Sequence, residues 1–223
     1  VHQFWFILHW SRHIEISLPQ VEDALVVTRR AHDPLYAAYL LNIIAITHYF
    51  LGRSTGDVLA AHQRVVEHCR PYSMEVIIGF TQCYAGAAAA LRGETAGLTT
   101  LTGEHVDEAA FRAQFKDMPM VLGLMAGARI PLFGLAGRWE AVLELAADPH
   151  LPASPPFMPH VVIEFWRCMA AAVLCGQSDD ALRRQALRAQ CDAAQGFLTH
   201  ICEHSAADNV AHRYGISRED QDL

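Results

Sequence analysis

The sequence predicts an all-α fold made of stacked helical hairpins. Apolar residues recur at helical spacing along most of the chain, and no stretch alternates apolar and polar residues over the length of a strand. Glycines that follow apolar helices also recur, at spacings of 41, 44 and 39 residues, which is typical of a helical-repeat protein. They are Gly52, Gly93, Gly137 and Gly176.

The predicted helices are recognised from their end signals as well as from their periodicity. Pro34 suits the first position of a helix and Gly52 suits its C-terminal cap. Ser54 suits the N-cap of the next helix, whereas Pro131 is predicted to kink the helix that contains it. The predicted helices cover residues 34–52, 54–70, 73–93, 120–137, 138–147, 156–176 and 178–204.

Two segments interrupt this helical pattern. Residues 94–106 are predicted to form an irregular insert, with a helix resuming at Asp107, and residues 148–159 form a Pro-rich loop. The whole chain, 1–223, is interpreted as a single helical-repeat domain. We expect it to be a fragment of a longer protein, because it lacks an initiator Met and ends without a helix-stop signal.

The glycine spacing predicts an α-solenoid of divergent tetratricopeptide-like repeats. A single helical hairpin cannot bury its apolar face, but stacked hairpins share one continuous core. The stretch GRWEAVLEL carries the turn glycine Gly137 and an apolar pair at the start of the second helix. The period is longer than the ~34 residues of a standard tetratricopeptide unit, so the repeats are divergent.

Composition excludes some classes of partner. Of 223 residues, 24 are acidic and 17 are basic, for a net charge of −7, and no basic stripe is present, which argues against a nucleic-acid partner. The apolar start VHQFWFILHW is shorter than the ~20 residues needed to cross a bilayer, so we expect no membrane insertion. Six cysteines without a C-x-x-C pair favour reduced thiols in a cytoplasmic protein.

The stretch LRGETAGLTTLTGEHVDEAAF, residues 91–111, contains the residues most suggestive of chemistry. Its three glycines are not followed by a lysine, and it follows a helix, so a phosphate-binding loop is disfavoured. Its carboxylates would suit acid–base catalysis, but Asp107 and Glu108 are better explained as helix-start residues. We therefore expect no catalytic residue and no cofactor in this chain.

A second candidate is the HICEH stretch near the C-terminus. It fits the H-x-x-E-H pattern, in which His200 and His204 share a helix face and could bind zinc while Glu203 acts as base. A catalytic zinc site needs a third protein ligand, and no downstream glutamate helix follows. A zinc hydrolase is thus a remote alternative, and a surface helix face is the preferred interpretation.

Three stretches together resemble one protein family. An HW pair stands at His9–Trp10, and residues 91–111 resemble the pattern L-x-G-x-T … F-D-E-x-x-F, with Val106 at the aromatic position. The tail HSAADNVAHRYGISRED resembles P-x-N-F-x-H-R-Y-L-L-V-x-A-E, from which Val210, Gly215 and Ser217 depart. The matching positions, which are also candidate interface residues, are Trp10, Gly93, Thr95, Asp107, Glu108, Phe111, Asn209, His212, Arg213 and Tyr214.

The family is the tetratricopeptide-like helical region of very large bacterial multidomain sensor kinases. In those proteins a serine/threonine-kinase-like domain and an AAA-type ATPase domain precede this region, and a GAF domain and a histidine kinase follow it. The resemblance implies that the chain is a non-catalytic scaffold that couples these domains or binds a protein partner. It also implies that residues 93–111 are a surface joint, where partner contacts tend to gather.

Two other readings remain open from the sequence. The same kind of solenoid occurs beside ATPase modules in large transcription activators, where it binds an inducer or a regulator. A free-standing tetratricopeptide adaptor would need capping repeats with polar outer faces, which neither end provides. Either way, the expected partners are proteins or other domains of the same polypeptide.

Overall fold

The computed structural model describes residues 14–151 and 158–201, and over these residues the fold is all-α, as predicted. No strand forms within these ranges. The β-type pairing found there is one isolated bridge, between Thr95 and Gly103. Short 3₁₀ turns cover Ile14–Ser17 and Arg70–Tyr72. The α-helices are α1 (Leu18–Arg30), α2 (Pro34–Phe50), α3 (Thr55–Cys69), α4 (Glu75–Leu91), α5 (Glu108–Gln114), α6 (Pro119–Leu135), α7 (Trp139–Ala146), α8 (Met158–Gln177) and α9 (Ala181–Ile201).

Several helix ends are fixed by residues that the sequence indicates. The side chain of Ser54 accepts a hydrogen bond from the N–H of Asp57 at the start of α3, and Pro34 opens α2. The interior proline, Pro131, does not end α6, which continues to Leu135. Helix α1 lies in a stretch for which the sequence analysis defined no helix.

Three of the four repeat glycines close their helices in the same way. Gly52, Gly93 and Gly137 have φ values of +63°, +76° and +69°, in the left-handed region. In each turn the following residue donates its N–H to a carbonyl five positions earlier, as Glu94 does to Ala89 at 2.9 Å. This is the Schellman arrangement, in which a left-handed residue satisfies the last carbonyls of the helix.

Two non-glycine residues make the same turn between the glycines. His32 and Ser73 both have φ of 54°, and the residue after each donates to the carbonyl five positions earlier, at 3.2 and 3.3 Å. The left-handed positions 32, 52, 73 and 93 are thus spaced 20 or 21 residues apart. The repeat unit of this part of the chain is therefore one helix and one turn, and glycine marks every second unit.

Gly176 does not belong to this series, which corrects the sequence interpretation. It lies inside α8, which continues to Gln177, and it is not among the residues with positive φ. The start of α9 is fixed instead by Asp180, whose side chain accepts from the N–H groups of Leu182 at 2.9 Å and Arg183 at 3.4 Å. A small residue after an apolar run resembles a C-cap in sequence even when the helix continues.

Alternate helices form an inner row. Helices α2 and α4, α4 and α6, and α6 and α8 pack on each other, while α3 and α7 pack against the two members of the row that they connect. Residues 40–47 of α2, 83–90 of α4 and 121–126 of α6 are all buried. Since these runs exceed the 3.6 residues of a helical turn, the three helices are covered on every side.

The buried residues divide into three clusters along the chain. The first extends from α1 to α6, and the second joins α6, α7 and α8 through residues such as Ile130 and Ile163. The third, at α8 and α9, contains Ala171, Leu174 and Leu187. Trp139 and its neighbour in the helix, Leu143, contact both the second and the third cluster, so the clusters form a series.

We predict that Gly93→Val destabilises the protein by about 1–2 kcal/mol, because an L side chain at left-handed φ strains the backbone. A Cβ atom at Gly93 would meet nothing within 4 Å, so the effect isolates the backbone conformation from packing. The free energy of unfolding measured by urea denaturation checks this prediction.

The matched control for that variant is Gly97→Val in the following loop. A Cβ atom at Gly97 also meets nothing within 4 Å, but no left-handed φ is found there. Gly97→Val should therefore change the stability by less than about 0.5 kcal/mol. Equal losses in the two variants would contradict the C-cap role of Gly93.

Candidate functional site

Residues 94–106 form an ordered connection between α4 and α5. Thr95 pairs with Gly103 in an isolated antiparallel bridge, and the N–H of Gly103 donates to the carbonyl of Val106 at 2.8 Å. The hydroxyl of Thr95 donates to the carbonyl of Gly97 at 2.8 Å. Threonine hydroxyls thus replace the missing helical hydrogen bonds and fix the path of the segment.

Glu108 joins this connection to α6. Its Oε1 atom accepts from the hydroxyl of Thr100 at 2.9 Å and from the N–H of Leu101 at 2.6 Å. Its Oε2 atom lies 3.6 Å from Nη1 of Arg129, and its own N–H donates to the hydroxyl of Thr102 at 3.3 Å. The carboxylate is largely buried and is occupied by structural contacts on both oxygens, which leaves it poorly placed for catalysis.

Arg129 is enclosed on the other side of that ion pair. Its guanidinium carbon lies 5.2 Å from the centre of the Phe133 ring, and its Nε atom is buried without a hydrogen-bond partner. Burial lowers the pKa of Arg129, while the charge of Glu108 opposes that shift. The carboxylate of Glu108 therefore offsets the cost of burying the cation of Arg129.

The connection buries two apolar side chains against α4. Leu101 and Val106 are 0% and 1% exposed, and both lie over Gly86. A Cβ atom at Gly86 would come within 2.8 Å of Val106 and 3.0 Å of Leu101, so the glycine makes room for them. Most of residues 93–111 are exposed, so the segment lies at the surface and at the same time covers α4 as an outer helix would.

A buried histidine of α3 lies between α4 and this connection, with its ring centre 6.2 Å from that of His105. Nδ1 of His62 and Oγ1 of Thr81 are 2.8 Å apart, and the Thr81 hydroxyl donates to the carbonyl of Ile78 at 3.1 Å. Thr81 therefore accepts from His62, whose Nδ1 carries the proton. Burial, and secondarily His105, lowers the pKa of His62 to about 4, so its imidazole is neutral near pH 7.

The structure places the central motif residues in structural roles. The carboxylate of Asp107 caps α5 by accepting from the N–H groups of Ala109 and Ala110, at 2.9 and 3.1 Å. Phe111 is 3% exposed and joins the core. The remaining candidates, which lie outside the described residues, are Trp10, Glu203, His204, Asn209, His212, Arg213 and Tyr214.

His200, the described member of the candidate zinc pair, lies in the last turn of α9 with its side chain exposed. Within residues 14–151 and 158–201, no group of three or more His, Cys, Asp or Glu side chains is arranged to hold a metal ion.

Helix α8 carries an exposed apolar stripe that the sequence analysis did not identify. Phe165 and Met169 are 48% and 40% exposed, and Ala172 and Gly176 are exposed on the same side. Spacings of four, three and four residues place all four on one helix face. Their positions are visible in the sequence, but α8 is apolar on most sides, so periodicity alone could not show which face stays open.

The other faces of α8 are occupied. Trp166 packs into α6 over Gly134, and Ile163 lies beside Gly127 of the same helix. Arg167 donates to the carbonyl of Ala146 at 2.6 Å, which ties α8 to α7. Phe165 follows Ile163 by two residues, or about 200° around the helix, and so faces away from α6.

One helix in the described residues reaches the length and composition of a membrane span. It is Pro159–Gln177, with 19 residues and a mean hydropathy of 1.2. Helices that lie inside globular domains meet the same criteria, and this helix also contains the ion pair Glu164–Arg167 at 2.8 Å. Its hydropathy is therefore weak evidence for a membrane location.

Comparison with models of protein families, with curated proteins and with solved structures found no match for this chain.

We predict that Glu108→Ala lowers the free energy of unfolding by about 2–4 kcal/mol, because it leaves the N–H of Leu101 and the charge of Arg129 without their partner. Glu108→Gln should lose less, since an amide oxygen still accepts from Leu101. Glu104→Ala, an exposed carboxylate of the same segment, is the control and should change stability by less than about 0.5 kcal/mol. Urea denaturation of the three variants measures this, and similar losses for Glu108 and Glu104 would contradict the role of Glu108.

We also predict that His62 destabilises the fold in acid. The pKa of His62 is about 4 in the folded protein and 6.5 in the unfolded chain. As the pH falls, the unfolded chain therefore takes up a proton at this residue before the folded protein does. The contribution of neutral His62 to the free energy of unfolding is fully present above pH 6.5, and about 3 kcal/mol of it is lost as the pH falls towards 4. His62→Asn keeps a donor for Thr81 and should remove this loss, as measured by denaturation across that pH window. Gln63→Ala, on the exposed side of α3, is the control and should keep the wild-type acid dependence.

Proposed function

We propose that this chain is a non-catalytic helical-repeat scaffold that binds a protein partner or a neighbouring domain of the same polypeptide. The observation that carries the proposal is the exposed apolar stripe on α8, which is defined above by Phe165, Met169, Ala172 and Gly176. Contiguous apolar surface on a folded domain is typical of an interaction site, and aromatic and Met side chains are enriched in protein interfaces.

The helix arrangement supports an α-solenoid within this proposal. Consecutive helices other than the short α5 pack as hairpins, and α2, α4, α6 and α8 form a row in which each packs on the next. Left-handed turns at a spacing of 20 or 21 residues provide the repeat unit from His32 to Gly93. Stacked hairpins of this kind form extended surfaces, and each unit contacts mainly its neighbours.

The position of the stripe supports its role as a docking face. The inner row ends at α8 within the described residues, and the face of α8 opposite α6 is the one that stays open. A further apolar helix placed there would continue the row with the same helix-on-helix packing. The partner we propose is therefore an amphipathic helix of another protein or of an adjacent domain, and no nucleic acid or membrane is involved.

The family resemblance supports a place for this scaffold in signal transduction. We propose that the chain belongs to a cytoplasmic bacterial sensor kinase and relays between an ATPase domain and sensor or kinase domains. Catalysis would then lie in those domains, and the chain itself would bind no cofactor. A transcription activator with an ATPase module is the alternative, and a helix-turn-helix domain encoded downstream would favour it.

We predict that Phe165→Glu weakens partner binding at least tenfold, because a carboxylate would be buried in an apolar contact. Affinity capture with the tagged chain would supply the partner, and titration calorimetry with the purified partner would supply the dissociation constant. Oxidative footprinting adds an independent readout, since Met169 should react more slowly in the complex than in the free chain.

Val27→Glu is the matched control for this experiment. Val27 is 64% exposed on α1, at the other end of the described chain, so its replacement introduces the same charge elsewhere. Both variants should keep the wild-type circular dichroism spectrum. Equal affinities of Phe165→Glu and wild type would exclude the stripe as the docking face.

A further inference from the structure

Two cysteines face each other between α8 and α9. The Sγ atoms of Cys168 and Cys191 are 3.5 Å apart, and the Cys168 thiol also lies 3.9 Å from the carbonyl oxygen of Cys191. Both side chains are half-buried, so a small oxidant can reach them from solvent. The residues are 23 positions apart in sequence, and only the packing of the two helices brings them together.

The other described cysteines lack such a partner. Cys69 and Cys83 are 0% exposed, and burial raises the pKa of the Cys69 thiol to about 11 and that of Cys83 still further. Cys175 directs its sulfur to the backbone carbonyl of Arg184 at 3.7 Å. Within the described residues, the α8–α9 pair is thus the thiol pair placed for a bond.

We propose that Cys168 and Cys191 form a reversible disulfide when the protein meets a peroxide. One thiolate attacks a peroxide oxygen, which breaks the O–O bond, gives a sulfenic acid and releases water or an alcohol. The second thiol attacks that sulfenic sulfur, the S–S bond forms, and the hydroxyl leaves as water. Each cysteine gives up one proton and one electron, so the peroxide is reduced by two electrons and takes up two protons.

The geometry favours this bond over other outcomes. A disulfide needs the two sulfurs about 2.05 Å apart, so the Sγ atoms must approach by about 1.5 Å from their present positions. The second thiol is already next to the first, so it can capture the sulfenic acid before further oxidation.

The environment of Cys168 makes its thiol slow to react. Burial raises the pKa of the Cys168 thiol, and its hydrogen bond to Cys191 adds to that shift, as do the charges of Asp192 and Glu164. Such a thiol stays protonated near neutral pH and reacts poorly with peroxide on its own. The pair would therefore respond to sustained peroxide exposure, and the product would covalently join α8 to α9.

The test is peptide mapping of the full chain after treatment with hydrogen peroxide. Trypsin leaves Cys168 and Cys175 together on residues 168–183, and it leaves Cys191 and Cys202 together on residues 189–213. The Cys175→Ser/Cys202→Ser double variant removes this ambiguity and keeps the proposed pair. We expect the two peptides to be linked with a loss of about 2 Da, and to separate with dithiothreitol.

The thermal readout should agree with the mapping. The disulfide would close a loop between residues 23 positions apart. We expect it to raise the melting temperature of the double variant by roughly 5–10 °C relative to the reduced form. Cys191→Ser should abolish the link and the shift while it keeps the circular dichroism spectrum. The proposal is overturned if peroxide oxidises other thiols and no Cys168–Cys191 link forms, or if links through Cys175 or Cys202 dominate in the wild-type chain.

Discussion

Three helices in the described part of the chain contain stretches that are buried on every side, and their need for complete cover governs the rest of the fold. Helices α2, α4 and α6 each contain six or more consecutive buried residues, so each must be enclosed by neighbours all round. They cover one another along the inner row, and α3 and α7 cover them from outside. Between α4 and α6 the chain has only the short helix α5. Residues 94–106 supply the missing cover with Leu101 and Val106.

The residues that resemble the sensor-kinase pattern gain a physical explanation from this constraint. Gly93 turns the chain back, Asp107 caps α5, Glu108 joins the connection to α6, and Phe111 fills the core. Residues with such roles maintain the shape of a segment, so these positions are explained by the fold of this chain without a bound ligand. The exposed stripe of α8, which lies outside that motif, is the better candidate for a contact with another protein.

The sequence predicts helix positions well because periodicity and end signals are local properties. It marks the turns at Gly52, Gly93 and Gly137, but His32 and Ser73 make the same turn without a residue that signals it. Gly176 has the sequence signature of such a turn but does not form one, since the helix continues past it. The candidate site was less predictable. The burial of residues 94–106, the open face of α8 and the Cys168–Cys191 pair all depend on which helices become neighbours, and no local pattern encodes this.

The serial arrangement of the three buried clusters has a consequence for how the molecule fluctuates. The third cluster contains Ala171, Leu174 and Leu187, whereas the first unites residues from α1 to α6. Local opening free energies rise with the apolar contacts that an opening breaks, so cooperative units along this chain should differ in stability. We therefore expect α9, which packs on the rest of the described chain mainly through this small cluster, to open and reclose more often than the helices around the first cluster, next to the helix that carries the exposed stripe.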